Sequence, residues 1–186
     1  IDTEGGRAQY RDGIVRDENG QFAKAFYFDG TTGIKLPENI IDTNIYSVSL
    51  WLKPEQLTDF TTSFFGYKNN DSWLSFTPKG VESQAVLWSG THWYDGLTDF
   101  VMTPNMWTHV AFSVDEGNVK IYIYSELKHS GTTFPDVFTG GENNKFALGV
   151  NYWDIPFKGL IDDLRIYQDD VITSEEVKTY FEESLT

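Results

Sequence analysis

Apolar and polar residues alternate along most of this chain in short runs, a pattern typical of half-buried β-strands. The clearest run covers residues 45–53 and ends at Pro54, and one of its faces carries only Tyr46, Val48, Leu50 and Leu52. Similar runs predict strands at residues 22–28, 33–36, 62–67, 73–77, 85–88, 107–114, 119–124, 145–150 and 160–167. Many short strands separated by turn sequences predict an all-β, two-sheet antiparallel sandwich or jelly roll.

One segment near the end of the chain follows a helical spacing instead. Thr173 and Ser174 come before two acidic residues, and Val177, Tyr180 and Phe181 are spaced to share one helical face. Thr and Ser commonly cap the N-termini of helices, and acidic residues in the first turn interact favourably with the helix dipole. The pattern predicts a short C-terminal helix over residues 173–181.

The last predicted strand contains a carboxylate on its apolar face. If the alternation is regular, Asp162 shares that face with Leu160, Leu164 and Ile166. An ionised carboxylate removed from water costs several kcal/mol unless a cation, an Arg or several donors compensate it. We therefore expect a positive group or several donors beside Asp162.

Composition narrows the class of protein. The 186 residues suit a single domain spanning 1–186, and 16% aromatic residues exceed what its core needs. A net charge of −14 argues against nucleic acid and anionic membranes as partners, and no apolar run is long enough to insert into a membrane. The absence of Cys excludes disulfides, thiolate zinc sites and a Cys nucleophile. The N-terminus does not resemble a signal peptide, so we expect a domain excised from a longer protein.

Five segments in this order resemble the laminin-G-like, or concanavalin A-like, jelly-roll domains of bacterial carbohydrate-active proteins. They are residues 2–6, 25–30, 47–54, 106–112 and 159–167, the last followed by the predicted helix. The resemblance implies a two-sheet antiparallel sandwich in a secreted or cell-surface bacterial protein. The chain departs from the family at Tyr124-Ser125, where members commonly carry an Asp-Gly turn. That turn must form by different chemistry.

The resemblance also implies a structural calcium ion (Ca2+). In such domains the Asp of the Phe-Asp-Gly turn and the Asp of the last strand tend to be ligands, which here are Asp29 and Asp162. Gly30 is a candidate carbonyl donor, because calcium takes 6 to 8 oxygen ligands that include carbonyls. In the alternative reading Asp29 only forms a turn, and Asp162 accepts backbone donors or pairs with Arg165.

Four of the six Trp residues lie at strand ends or in loops and are candidates for stacking against sugar rings. One cluster contains Trp88, His92, Trp93, Tyr94 and Asp95, and a second contains Asn151, Tyr152 and Trp153. Trp73 is the fourth candidate, although its segment also reads as a turn. Either cluster could instead be a packed loop covering the sheet edge. Trp51, Trp107 and His109 lie in strand positions typical of structural packing.

Catalysis has little support in the sequence. Glycoside hydrolysis needs two carboxylates at a defined separation, and no strand carries the Glu-x-Asp pattern of enzymes built on this sandwich. The three His residues are not spaced for a triad or a zinc site. We expect a non-catalytic carbohydrate-binding module that targets a secreted glycoside hydrolase to polysaccharide, with an attached catalytic domain. The alternative is a structural or protein-interaction domain that packs on a neighbouring catalytic domain or belongs to a surface adhesin.

Overall fold

The computed structural model describes residues 2–4, 9–15 and 22–185, with side chains from Ala25 onward. The strands within these residues are β1 (Asp2–Glu4), β2 (Gln9–Val15), β3 (Phe22–Asp29), β4 (Gly33–Leu36), β5 (Ile45–Pro54), β6 (Phe64–Asn69), β7 (Ser72–Thr77), β8 (Val86–Ser89), β9 (Tyr94–Leu97), β10 (Thr108–Asp115), β11 (Asn118–Ile123), β12 (Glu126–Gly131), β13 (Lys145–Leu148) and β14 (Lys158–Gln168). A single turn of 3-10 helix covers Val81–Ser83, and α1 covers Ser174–Ser184.

The strands form two antiparallel sheets, each with seven strands in the described residues. The front sheet has the order β1-β4-β13-β6-β7-β8-β9, and the back sheet has the order β12-β11-β10-β5-β14-β3-β2. The predicted all-β sandwich with a short terminal helix is confirmed. No helix in the described part of the chain is both long and apolar enough to cross a membrane.

The core lies between the sheets and is rich in aromatic rings. Phe64 and Phe76 of the front sheet contact Phe112 of the back sheet, with ring centroids 6.1 and 6.2 Å away. Val48, Leu50 and Leu52 of β5 belong to the same buried cluster, as their alternation predicts. The front sheet is thus held against the back sheet through β6 and β7, the strands that also carry the candidate site.

The outer face of the back sheet is covered by α1. Trp51 stacks on Phe181 at 5.7 Å and donates a hydrogen bond from Nε1 to Ser184 Oγ at 2.9 Å. His109, also buried, lies 5.0 Å from Trp51. The helix begins at a capping box, because Thr173 and Glu176 each accept the other's backbone N–H. The predicted structural roles of Trp51 and His109 are therefore confirmed.

The predicted alternation in β14 is wrong because the strand contains a bulge. Ile161 pairs with Leu52 and Asp162 with Trp51, so Ile161 supplies the core side chain and Asp162 lies on the Trp51 side. The register then shifts before Arg165 pairs with Ser49, which leaves one extra residue in β14. After the bulge Leu164 and Ile166 pack against the core. Asp162 therefore does not share a face with them.

The unusual Tyr124-Ser125 turn joins β11 and β12 with both residues at positive φ, 48° and 63°. Such angles are normally provided by Asn-Gly in two-residue hairpins. Here the Tyr124 hydroxyl donates to the carbonyl of Trp107, and its ring contacts Trp51 and Phe181. The family's Asp-Gly chemistry is replaced by anchoring of the tyrosine side chain.

Candidate functional site

The outer face of the front sheet carries aromatic side chains at alternate positions of β6, β7 and β8. The strand register places Phe65 opposite Ser75, Ser75 opposite Trp88, and Tyr67 opposite Trp73, so these side chains share one face. Their sequence neighbours Phe64, Leu74 and Leu87 point to the core instead. The period of two thus separates core residues from surface rings along the same strands.

Trp73 joins the two loop clusters predicted from the sequence. Its ring lies 5.0 Å from Trp88, 6.2 Å from Trp93 and 5.6 Å from Trp153. Because Trp73 itself is only 8% exposed, it supports the more exposed rings rather than facing the solvent. All four candidate Trp residues therefore form one connected group.

Four aromatic side chains of this face are open to solvent. Trp93 is 59% exposed, Trp153 51%, Tyr152 50% and Phe60 40%. Phe60 packs on Trp88 at 5.5 Å, and Tyr152 packs on Tyr67 at 4.8 Å. We call the rings Phe60, Phe65, Tyr67, Trp73, Trp88, Trp93, Tyr152 and Trp153 the aromatic surface.

The loop between β8 and β9 holds Trp93 in an unusual backbone conformation. His92 and Trp93 have φ values of 49° and 46°, a region that residues other than Gly rarely adopt. Gly90 lets the loop pass close to Trp73, because a Cβ there would lie 2.2 Å from the indole nitrogen. His92 is exposed beside Trp93, as the cluster predicts. Packing of Trp93 against the indoles of Trp73 and Trp88 compensates for the strained backbone.

The second loop is organised by Asn151. Its Oδ1 accepts the backbone N–H groups of Trp153 and Asp154, both at 2.8 Å, and its Nδ2 donates to Asp154 Oδ2 at 2.8 Å. An Asx turn of this kind fixes the backbone from which Tyr152 and Trp153 project. Asn151 positions these two rings, and its own predicted contact with ligand stays a prediction.

Tyr94 and Asp95 point in opposite directions because they are neighbours in β9. Asp95 pairs with Trp88 and shares the aromatic surface's side of the sheet. The Tyr94 hydroxyl instead hydrogen-bonds to His129 Nε2 at 2.7 Å, and its ring packs on Phe134 at 5.1 Å. Burial raises the pKa of the Tyr94 hydroxyl. The ring and hydroxyl of Tyr94 therefore link the edges of the two sheets, away from the aromatic surface, and its contact with ligand stays a prediction.

The structure thus brings together the predicted residues Trp73, Trp88, Trp93, Asp95, Tyr152 and Trp153 on one face of the front sheet, whereas His92 is exposed in the adjoining loop. Contact of these residues with a sugar stays a prediction. Sequence reasoning missed Phe60, Phe65 and Tyr67. The i, i+2 spacing of Phe65 and Tyr67, with both rings off the core face of their strand, was the available signal.

The predicted calcium ligands lie apart. Asp29 is opposite Lys158, and Asp162 is four residues further along β14, about 13 Å away along the strand. Oxygens bound to one calcium ion lie within about 5 Å of each other, so Asp29 and Asp162 do not share an ion. The predicted pairing of these carboxylates is wrong. No group of three or more His, Asp or Glu side chains suited to a metal occurs among the described residues.

Each carboxylate instead has a local role close to the alternative reading. Asp29 Oδ1 accepts the N–H of Thr31 at 2.8 Å and its hydroxyl at 2.7 Å, and Gly30 between them has φ 90°. These bonds lower the pKa of Asp29. Asp162 Oδ1 accepts the N–H of Asp163 at 2.7 Å, whereas Arg165 pairs with Asp163 at 3.3 Å. Binding of a structural calcium ion by the domain stays a prediction.

Comparison with solved structures finds a match at high identity. Domain 4 of AbnA, a GH43 extracellular arabinanase from Geobacillus stearothermophilus solved in complex with arabinotriose, is 51% identical and superposes with a TM-score of 0.86. The match covers 95% of this chain and 82% of that one. No curated protein matches the chain.

More distant structures share only the fold. The binding domain of Paraclostridial Mosquitocidal Protein 1 is 15% identical with a TM-score of 0.65, covering 98% of this chain and 47% of that one. A putative carbohydrate binding protein from Bacteroides ovatus is 18% identical with a TM-score of 0.61, covering 78% and 43%. This chain spans less than half the length of either. The family model described as the Concanavalin A-like lectin/glucanases superfamily matches residues 28–178, and the chain belongs to that superfamily.

Proposed function

We propose that this domain is a non-catalytic carbohydrate-binding module whose ligand lies on the aromatic surface. The observation that carries the proposal is the half-exposed trio Trp93, Tyr152 and Trp153, supported from below by Trp73 and Tyr67. Sugar rings present flat C–H faces that stack on aromatic side chains. Polar groups at the edge of the aromatic surface can form hydrogen bonds with the sugar hydroxyls. Large exposed rings gathered on one sheet face mark an interaction site.

The proposed ligand is an arabinan-type oligosaccharide. The support is the relative at 51% identity, which was solved with arabinotriose bound. A neutral glycan also suits a chain with a net charge of −14, which would repel a polyanion. Trp93 and Trp153 both contact Trp73 and stand on different loops, so a chain of several sugar units can touch both rings.

The proposed biological role is targeting. An attached polysaccharide-degrading enzyme, secreted or displayed at the bacterial surface, would be held near its substrate by this domain. Tethering raises the effective concentration of enzyme at the polymer even when each contact is weak. The extracellular arabinanase that carries the related domain supports this setting.

Isothermal titration calorimetry with arabinotriose and linear arabinan tests the proposal. We expect binding by the wild type and at least tenfold weaker binding by Trp93→Ala and by Trp153→Ala. Leu127→Ala is the matched control, because Leu127 is 50% exposed but lies on β12 of the back sheet. No binding of any glycan by the wild type would contradict the function and favour a structural domain. Equal affinity of all variants would contradict the site, and release of reducing ends would contradict the non-catalytic role.

A further inference from the structure

Trp88 and Asp95 form a cross-strand pair at the edge of the aromatic surface. They lie directly opposite each other on β8 and β9, so their side chains project from the same face of the front sheet. Directly opposed residues in an antiparallel pair have Cβ atoms about 5 Å apart. An indole donor and a carboxylate acceptor are thus placed side by side next to the exposed ring of Trp93, which contacts Trp88 at 5.1 Å.

Neither group uses its hydrogen-bonding capacity within the described part of the chain. Trp88 Nε1 is buried and donates to no acceptor, and Asp95 Oδ1 is buried and accepts from no donor. The two atoms do not bond to each other either, although one is a donor and the other an acceptor. Buried polar atoms are nearly always satisfied in native proteins, so this donor and this acceptor have capacity to bond a ligand hydroxyl.

We propose that this pair is a hydroxyl-recognition notch, in which one sugar hydroxyl donates to Asp95 Oδ1 and accepts from Trp88 Nε1. The inference rests on the proposed function and assigns its specificity-determining contact. A hydroxyl suits the notch because it carries both a donor and acceptor lone pairs, whereas a methylene or an ether oxygen satisfies at most one partner. Stacking on the exposed rings provides most of the binding affinity, and the Trp88–Asp95 pair determines the specificity for the sugar.

The hydroxyl reaches the notch when an exposed ring shifts. Trp93 and Phe60 are the two exposed rings that contact Trp88, at 5.1 and 5.5 Å. Trp93 lies in the loop with strained φ angles, and a shift of this loop can relieve that strain. We therefore expect the Trp93 loop to adjust on binding while the strands beneath it stay fixed.

The notch also predicts how ligands are ranked. A site built to hydrogen-bond a hydroxyl rejects an analogue that lacks it, because the buried partners are then left unpaired. Arabinotriose and its set of monodeoxy derivatives, each lacking one hydroxyl, are the direct probes. One derivative is expected to bind the wild type at least tenfold more weakly than arabinotriose, as expected for a lost bond to a charged group.

The test is a double-mutant cycle between protein and ligand measured by calorimetry. Asp95→Ala and Trp88→Phe should each weaken arabinotriose binding about tenfold or more, yet bind the critical monodeoxy derivative as the wild type does. Trp153→Ala should weaken both ligands by the same factor, because it removes a stacking ring that packs on Trp73 and does not cover Trp88. Asp115→Ala, which removes an exposed carboxylate at the end of β10, should change neither.

A stability measurement separates recognition from a structural role. Without ligand, the melting temperature of Asp95→Ala should equal or exceed that of the wild type, since a buried unpaired carboxylate oxygen is costly. A lower melting temperature together with weaker binding would overturn the notch, as would Asp95→Ala binding with wild-type affinity. In both cases the wild type still binds, so the proposed function stands. If the wild type binds no arabino-oligosaccharide, the function and the notch fail together.

Discussion

The side-chain oxygen of Asn151 accepts the backbone N–H of Trp153 at 2.8 Å, two residues further along the loop. The same oxygen accepts the N–H of Asp154, so a single side chain fixes the backbone that presents Trp153 to solvent. A ring held in place before binding loses less conformational freedom when a ligand stacks on it. Asn151 therefore fixes the loop backbone, and under the proposed function it acts on binding through Trp153.

Replacing Asn151 tests this positioning role. Asn151→Ala should weaken glycan binding several-fold, because the loop must be ordered on binding. Asn151→Asp keeps the accepting oxygen and should retain most of the affinity. Acrylamide quenching of tryptophan fluorescence should rise in the Ala variant, as expected for a looser Trp153. Equal loss of affinity in both variants, with unchanged quenching, would instead indicate that the Asn151 amide itself contacts the ligand.

Gly90 offers a way to disturb the aromatic surface without removing a ring. A Cβ at this position would lie 2.2 Å from Nε1 and 2.4 Å from Cε2 of Trp73, so Gly90→Ala must displace that indole. Because Trp73 supports both Trp93 and Trp153, we expect affinity to fall about tenfold and stability by about 1–3 kcal/mol. Calorimetry and chemical denaturation measure the two effects.

Gly140→Ala is the control for that substitution. It adds a methyl group with no neighbour within 4 Å, although Gly140 has φ 78°, so it strains the backbone without touching the aromatic surface. Stability should fall by about 1 kcal/mol while glycan affinity stays unchanged. If Gly90→Ala also left the affinity unchanged, the support of the exposed rings by Trp73 would be contradicted.

The Tyr124-Ser125 turn should respond oppositely to changes at its two positions. Ser125 has φ 63°, a strained value for serine, and Ser125→Gly should raise the free energy of unfolding by about 0.5–1 kcal/mol. Tyr124→Asn also suits the turn but removes the hydroxyl bond to Trp107 and the contacts with Trp51 and Phe181. It should lower stability by about 2–4 kcal/mol. Urea denaturation measures both, and stabilisation by Tyr124→Asn would contradict the anchoring role.

Asp29 should make stability depend on pH in the acid range. Hydrogen bonds from Thr31 lower the pKa of Asp29 below its ordinary 3.8, so the folded state binds the proton less readily than the unfolded state does. The stabilisation is fully present above 3.8 and is lost as the pH falls through the lowered pKa. In acid titrations followed by denaturation, wild type should lose stability more steeply than Asp29→Asn. Parallel curves would contradict this contribution.

A double-mutant cycle tests the separation of Asp29 and Asp162. In a calcium-containing buffer the stability changes of Asp29→Ala and Asp162→Ala should add to within about 0.5 kcal/mol, as for independent sites. Two ligands of one ion would show a large coupling, because the first substitution already removes the ion. A coupling above about 1 kcal/mol that disappears with chelator would restore the shared calcium site.

Local periodicity carried most of the fold prediction, and it failed where a single residue interrupts the period. In β14 the extra residue at the bulge, where Asp163 has φ 51°, moves Asp162 off the face it shares with Leu164 in a regular strand. Nothing in the order of apolar residues marks that insertion. Strands β9 and β12 were not predicted, because they lie at sheet edges and β12 is mostly exposed. Their pairing depends on neighbours distant in sequence.

The candidate site was predictable in composition but not in arrangement. The surplus of Trp residues in two polar loops indicated where the exposed rings of Trp93 and Trp153 would be. That the loops meet over Trp73 depends on the order of strands in the front sheet, which no local pattern contains. The opposite directions of Tyr94 and Asp95 likewise follow only once β9 is known to be a strand.

Along β6, β7 and β8, core residues such as Leu74 alternate with rings such as Trp73 that belong to the aromatic surface. Every second residue in these strands therefore contributes to the core that stabilises the fold. The residues between them determine the chemistry of the outer face. Mutation can change one set while the other is kept, so a library varied only at the outward positions should retain folded members at high frequency. Under the proposed function, the same sandwich can in this way acquire a different glycan preference without passing through unfolded intermediates.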